Sequence, residues 1–248
     1  MKKAVLLICL MTLGVMGIVN AQTKISLAEE LNDEGVARIN SGNYTQAAEA
    51  LERAVALRPH YAKAFYNLGT ARFHLKQWVP AAGALQKAID LTPGYAEAYN
   101  QLGVVYLETG QIKKGIEAFK TATRLRAGGA AAFYNLGCAY MRIGRFGEAA
   151  GALEIAKRLD KGNPEIRLNL GAAYARREKF ADAIAELREA AALAPSDEEI
   201  QLLLGNLYLR ARRRDAAAAQ YAAMKYTNPG LAEKLYQALN SGKIVRAP

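Results

Sequence analysis

The sequence predicts an all-α solenoid: six helix–turn–helix units closed by a C-terminal capping helix. Three observations carry this. First, a glycine recurs every 34 residues, at Gly35, Gly69, Gly103, Gly137, Gly171 and Gly205. Around it Asn67-Leu68-Gly69, Asn135-Leu136-Gly137 and Asn169-Leu170-Gly171 repeat, with Gln101-Leu102-Gly103 a near copy. A fixed period of this kind marks units that bury their apolar faces on their neighbours, not around one central core. Second, the apolar residues of each period fall three to four apart, on one helix face, and the long alternating runs of a strand are absent. Third, Pro59, Pro93, Pro195 and Pro229 stand at unit ends, where the ring stops one helix before the next begins.

The chain opens with Lys2 and Lys3, an unbroken apolar run from Ala4 to Val19, and small residues at Val19-Asn20-Ala21. That reads as a secretory signal peptide over residues 1–21, cut before Gln22. The alternative is an uncleaved anchor, but the run falls short of the roughly 20 residues that span a bilayer. A lipoprotein signal does not fit. Cys9 sits in mid-run, after Ile8, where such a signal needs a small residue. Residues 22–27 read as a polar lead-in.

The six units follow at 28–61, 62–95, 96–129, 130–163, 164–197 and 198–231. In each first helix the glycine lets the second helix approach closely. Gly42, Gly110 and Gly144 mark the turn between them. Tyr44, Trp78, Ile112, Phe146 and Phe180 open the second helices. Small residues come next (Ala47, Ala81, Gly115, Ala149, Ala183, Ala217), then large ones (Leu51, Leu85, Phe119, Leu153, Leu187, Tyr221). The departures are informative. Glu34 and Arg38 replace Leu and Tyr in the first unit, as suits a solvent-facing end. Arg214 and Met224 replace an aromatic and an alanine in the last. Gly128-Gly129 predicts a soft joint, because two glycines leave the backbone unrestrained. Residues 231–240 read as the capping helix, through Leu231, Leu235, Tyr236 and Leu239, and residues 241–248 as a polar, mobile tail.

The net charge of +10 falls to +8 without Lys2 and Lys3. It permits acidic partners. It does not point to nucleic acid, since the basic rows of the C-terminal half lack interleaved aromatics. Nothing resembles a catalytic constellation. The two histidines, His60 and His74, lie apart, no Cys/His cluster has metal-ligand spacing, and no glycine-rich loop follows a strand. The reading is therefore not an enzyme, with no cofactor and no metal. After cleavage Cys138 is the one cysteine left, and it reads as a small packing residue, just as Trp78 reads as core.

The 34-residue period with these residues in register resembles the tetratricopeptide repeat (TPR) family over about Ala28 to Leu231. The resemblance implies a right-handed superhelical solenoid whose first helices line a concave groove. The second, fifth, ninth, twelfth and thirteenth unit positions would point into it. Carried onto this chain, they supply Tyr66, Phe73, Asn100 and Tyr134, which suit a peptide with apolar pockets between polar anchors, and Arg142, Arg176 and Arg210, a ladder of cations suited to carboxylates. Arg145, Lys179 and Arg213 form a second basic row. The same cations also lie at helix C-termini, where the helix dipole favours them without any ligand. The family's clamp for C-terminal carboxylates has lysine at the fifth position of its first repeat. No unit here has one, so that specificity does not transfer. The expected function is an exported, periplasmic or secreted scaffold or assembly adaptor that binds a protein or peptide partner, with membrane contact only through an uncleaved leader or a partner. The alternative is a structural subunit of a cell-envelope machine, docking by convex or edge surfaces. Pilus-assembly pilotins are similar in layout but are lipoproteins.

Overall fold

The computed structural model describes residues 22–125, 129–226 and 228–241. The expected signal peptide, residues 126–128 with half of the Gly128-Gly129 joint, and the tail beyond residue 241 lie outside the described residues. Those described are helical, with no strand among them, and fall into two compact units, one ending at Leu125 and one beginning at Arg126.

The first unit holds α1 (residues 22–40), α2 (Tyr44–Leu57), α3 (Ala62–His74), α4 (Trp78–Leu91), α5 (Ala96–Glu108) and α6 (Ile112–Leu125). Residues 22–27, expected as a polar lead-in, are instead the first turns of α1. No glycine or proline interrupts QTKISL, so the helix runs straight into the repeat. The second unit holds α7 (Ala130–Arg142), α8 (Phe146–Leu159), α9 (Pro164–Arg176), α10 (Phe180–Leu193), α11 (Glu198–Arg210), α12 (Arg214–Met224) and α13 (Pro229–Ser241). Asn163 caps α9 by accepting from the Glu165 and Ile166 amides, with Pro164 at the first helical position. Asn228 caps α13 through the Leu231 amide at 3.0 Å.

The recurring glycines let each helix pair close. A methyl group on Gly69 would lie 2.6 Å from Leu85 Cγ, one on Gly103 2.6 Å from Phe119 Cε1, and one on Gly137 2.6 Å from Leu153 Cγ. Leu51 and Leu187 meet Gly35 and Gly171 in the same way. The sixth repeat breaks the rule. Gly205 is met by Leu235 of α13, not by Tyr221 of α12. Leu235 is 1 % exposed, in a cluster with Leu202, Met224, Leu231 and Ala232. The capping helix therefore fills the place that the second helix of a repeat fills elsewhere.

All six turns within repeats share one backbone form. Gly42, Lys76, Gly110, Glu178 and Arg212 each stand in the left-handed region, as does Gly144, at φ between 58° and 77°. In each, the amide of this residue bonds the carbonyl three back and the next amide bonds the carbonyl five back. Gly110 to Leu107 and Gln111 to Tyr106 are one case, Glu178 to Ala175 and Lys179 to Tyr174 another. This is the Schellman closure of a helix, whose left-handed residue is normally glycine. Glu178 is exposed there and carries the steric penalty of a β-carbon. Glu178→Gly is expected to raise stability by about 1 kcal/mol, and Gly110→Ala to lower it by about the same. Midpoints in urea, at unchanged slope, check both.

Candidate functional site: the first-helix faces of the two units

In the first unit α3 packs on α1 and on α5 through a seam of amides and aromatics. Asn67 Nδ2 donates to Asn32 Oδ1 at 2.8 Å, and Asn32 is wholly buried. Tyr66 is half-buried, with its ring 5.1 Å from that of Tyr95. Phe73 sits edge-on to Trp78 at 5.4 Å and to His74 at 5.5 Å. Tyr66, Phe73 and Trp78 all rest on the cluster of Leu85, Leu102 and Val105. The structure thus gathers the predicted Tyr66 and Phe73 onto one core and leaves each partly open. Asn100, half-buried on α5, belongs to the same unit. Burial pushes the Tyr95 phenol up to about 12, with smaller contributions from Tyr66 and Tyr61. A raised phenol favours the folded state below the ordinary value near 10, and that contribution is lost as pH rises from 10 through about 12. Alkaline unfolding is expected across this window. Tyr95→Phe should weaken the pH dependence there, read by phenolate absorbance alongside circular dichroism.

In the second unit Tyr134 of α7 accepts a hydrogen bond from Asn169 Nδ2 of α9 at 3.3 Å. Asn169 stands 35 residues after Tyr134, as Asn67 stands 35 after Asn32, so in both cases the amide of an Asn-Leu-Gly fixes the fifth position of the repeat before it. Burial, then neighbouring Cys138, pushes the Tyr134 phenol up. Burial also raises the Cys138 thiol, against the pull of Tyr134 and Arg142. A thiol held protonated is a poor nucleophile, which agrees with a packing role.

The arginines are placed by aromatic rings. The Arg176 guanidinium lies 4.4 Å over the centroid of Phe146, and that of Arg210 lies 5.0 Å over Phe180. Each cation ends a first helix, and each ring opens the second helix of the preceding repeat. His74 does the same in the first unit, stacked on Tyr44 at 4.3 Å and 8°. The two arginine–ring pairs contribute about 0.5–1 kcal/mol each at exposed sites. Arg142, exposed at the end of α7, has Ile112 and not an aromatic residue 30 positions before it in the repeat frame. In the second basic row Arg145 stacks on Tyr140 at 5.0 Å and bonds Glu148, and Lys179 lies 5.9 Å over Tyr174. The cation spacing was readable in the sequence. The 30-residue offset from Phe146 to Arg176 and from Phe180 to Arg210 carries the stacking, which a helix dipole alone does not predict.

Sequence reasoning also passed over a cluster at the core of the second unit. Glu186 of α10 receives Lys157 of α8 at 2.5 Å and Arg167 of α9 at 2.9 Å. Its side chain is 14 % exposed, so the pairs are shielded from water and tie three helices. Among the described residues no group of His, Cys, Asp and Glu could hold a metal ion, and no helix is long and apolar enough to cross a membrane.

Comparison with solved structures places the fold. The chain is 20 % identical to the structure described as the functional characterization of Pseudomonas aeruginosa pilF, over 89 % of this chain and 100 % of that one, with a TM-score of 0.75. It is 21 % identical to YrrB, described as a TPR protein with an unusual peptide-binding site, over 77 % and 99 %, with a TM-score of 0.67. It is 24 % identical to TTC0263, a thermophilic TPR protein of Thermus thermophilus, over 73 % and 99 %, with a TM-score of 0.57. At these identities the likeness is one of fold. No curated protein matches the chain. A family model described as the Cilia and flagella-associated protein 70 C-terminal domain matches residues 14–237. Helix pairs, period and family model agree, and the chain belongs to that family of tetratricopeptide-repeat proteins.

Proposed function

We propose that the protein is an exported, non-catalytic TPR scaffold or assembly adaptor that binds a peptide segment of a partner on its first-helix faces. One observation carries the reading. Arg176 and Arg210 are held 34 residues apart by Phe146 and Phe180. Each guanidinium lies over a ring, which fixes where its planar fork stands, so both arginines are positioned for bidentate carboxylate contacts. That favours an acidic segment, with Arg142 and Tyr134 on the same unit. Tyr66, Phe73 and Asn100 form the corresponding face of the first unit. YrrB, whose description names a peptide-binding site, is a TPR fold of this kind.

The test is a paired capture from envelope extract, using the wild-type chain and Arg176→Lys/Arg210→Lys. Lysine keeps the charge but loses the planar fork. A partner retained by the wild type and reduced tenfold or more by the variant supports the reading. Equal capture by both refutes it. The second reading, a subunit of an envelope assembly that docks by its second-helix surfaces or edges, draws on the match to the whole of the pilF structure. It predicts equal capture. Export predicts a mature chain beginning at Gln22, checked by mass spectrometry of the periplasmic fraction. A chain retaining residues 1–21 in the membrane fraction would overturn cleavage.

A further inference from the structure

The first unit carries a cleft of about 430 Å³ on its second-helix side, between α4 and α6, with α5 as its floor. Its walls are Gln86, Tyr99, Leu102 and Tyr106, with Lys113 and Lys114 on the rim. The volume lies within the range of about 300–1,000 Å³ usual for ligand pockets.

The repeat frame shows why this cleft is open. One repeat earlier, the place of Tyr106 is taken by Arg72. Its guanidinium donates to Glu52 of α2 at 2.9 Å and to the Pro80 carbonyl of α4 at 3.5 Å, and so straps the space between those helices. Glu52 and Pro80 correspond to Gln86 and Lys114. Two repeats later, Tyr174 donates to Glu154, and the Lys157–Glu186–Arg167 cluster fills what remains. At the open cleft the same three cluster positions are Ile89, Ala118 and Tyr99, which cannot form ion pairs. Gln86 turns along its own helix to Asp90, at 2.9 Å, and not across the gap. The substitutions that remove both closures leave a mainly apolar floor.

The rim is cationic. Glu117 is paired with Lys120 at 2.8 Å, so its charge is offset within its own helix. Lys114 bonds Gln111 at 2.8 Å and lies 5.6 Å over the Tyr106 ring, which holds its ammonium at the mouth. Lys113 stands beside it.

We propose that this cleft docks an acidic peptide segment of a partner protein, which seats one large apolar side chain between Tyr99 and Tyr106 and sets carboxylates against Lys113 and Lys114. The apolar walls supply affinity, and the lysines select charge and speed encounter. The site lies wholly within the first unit. It is separate from the arginines of the second unit and does not depend on them.

The test is a selection from a random 12-residue peptide display library on the full chain, counter-selected on Gln86→Glu/Tyr106→Arg. That variant copies the Arg72–Glu52 strap into the cleft. The proposal expects enriched peptides with an aromatic or large aliphatic residue beside Asp or Glu. It expects their affinity to fall at least tenfold in the strapped variant and to be unchanged in Arg176→Lys/Arg210→Lys. Lys113→Glu/Lys114→Glu, a surface change that leaves the floor intact, is expected to abolish the acidic preference even if the strapped variant folds poorly. No enrichment, enriched peptides without acidic residues, or equal binding to the folded strapped variant or to the charge-reversed variant would each overturn it. Loss of the same peptides in the arginine variant would assign them to the first-helix face instead.

Discussion

Replacing Phe119 by alanine is expected to lower stability by about 3–5 kcal/mol, among the largest effects of any single change in the chain. Phe119 is wholly buried at the centre of the third helix pair. Its ring edge lies where a β-carbon on Gly103 would stand, 2.6 Å from Cε1, 2.8 Å from Cδ1 and 2.9 Å from Cζ. The ring therefore packs directly on the α5 backbone, and α5 cannot sink into the void that truncation leaves. Gly115, one turn earlier on α6, meets the same helix close to the Gly103 carbonyl, so the approach is fixed at two points. Phe119→Leu is expected to recover more than half of the loss, since Leu51, Leu85, Leu153 and Leu187 fill the same place in other repeats. Urea unfolding followed by circular dichroism separates the three proteins. Equal midpoints for Phe119→Ala and the wild type would mean that the helix pair does not depend on this contact.

The regular part of this fold was legible because a solenoid writes each contact several times. One glycine beside one large residue is ambiguous, but the same pairing at Gly35, Gly69, Gly103, Gly137 and Gly171 is not. Helix ends were legible where proline or a capping side chain stands, as at Asn163-Pro164. The left-handed turn residues were half legible. Gly42, Gly110 and Gly144 announce themselves, whereas Lys76, Glu178 and Arg212 adopt the same φ only because the flanking helices impose it. The period alone identifies them.

The candidate site was legible as positions but not as contacts. The spacing of Arg176 and Arg210 was plain, but charge alone does not say whether a cation faces solvent, a carboxylate or a ring. The rings that hold them lie 30 residues earlier, on another repeat. The cleft over α5 was hidden for a different reason. It exists because pairings found in neighbouring repeats are missing, and an absence shows only once Arg72–Glu52 and Lys157–Glu186–Arg167 have been seen in place.

Leu235→Ala is expected to cost about 2–5 kcal/mol and to release both α13 and α12, whereas Tyr221→Ala should cost far less. In the repeat frame Tyr221 occupies the position of Leu51 and Leu187, so a regular sixth repeat would place it against Gly205. Two residues prevent this. Met224 stands where the other second helices have a small alanine, and it is 1 % exposed, so its bulk holds α12 away from the close approach made elsewhere. Arg214, at the position of Phe146 and Phe180, donates to the Leu239 carbonyl near the end of α13 and ties the two helices together. Leu235 enters the space so opened, and its methyl groups come within 2.9 and 3.0 Å of a β-carbon built on Gly205. Tyr221 instead leans on Tyr236 at 5.2 Å, at the edge of the cluster. Truncating Leu235 removes the contact that holds α11, α12 and α13 as one body, while truncating Tyr221 removes a partly exposed ring. Hydrogen exchange provides the measurement. In Leu235→Ala, protection should fall across α11 to α13 and persist in α7 to α10. A Tyr221→Ala protein that loses protection as fully would mean that α12 packs as an ordinary second helix and that α13 merely covers it.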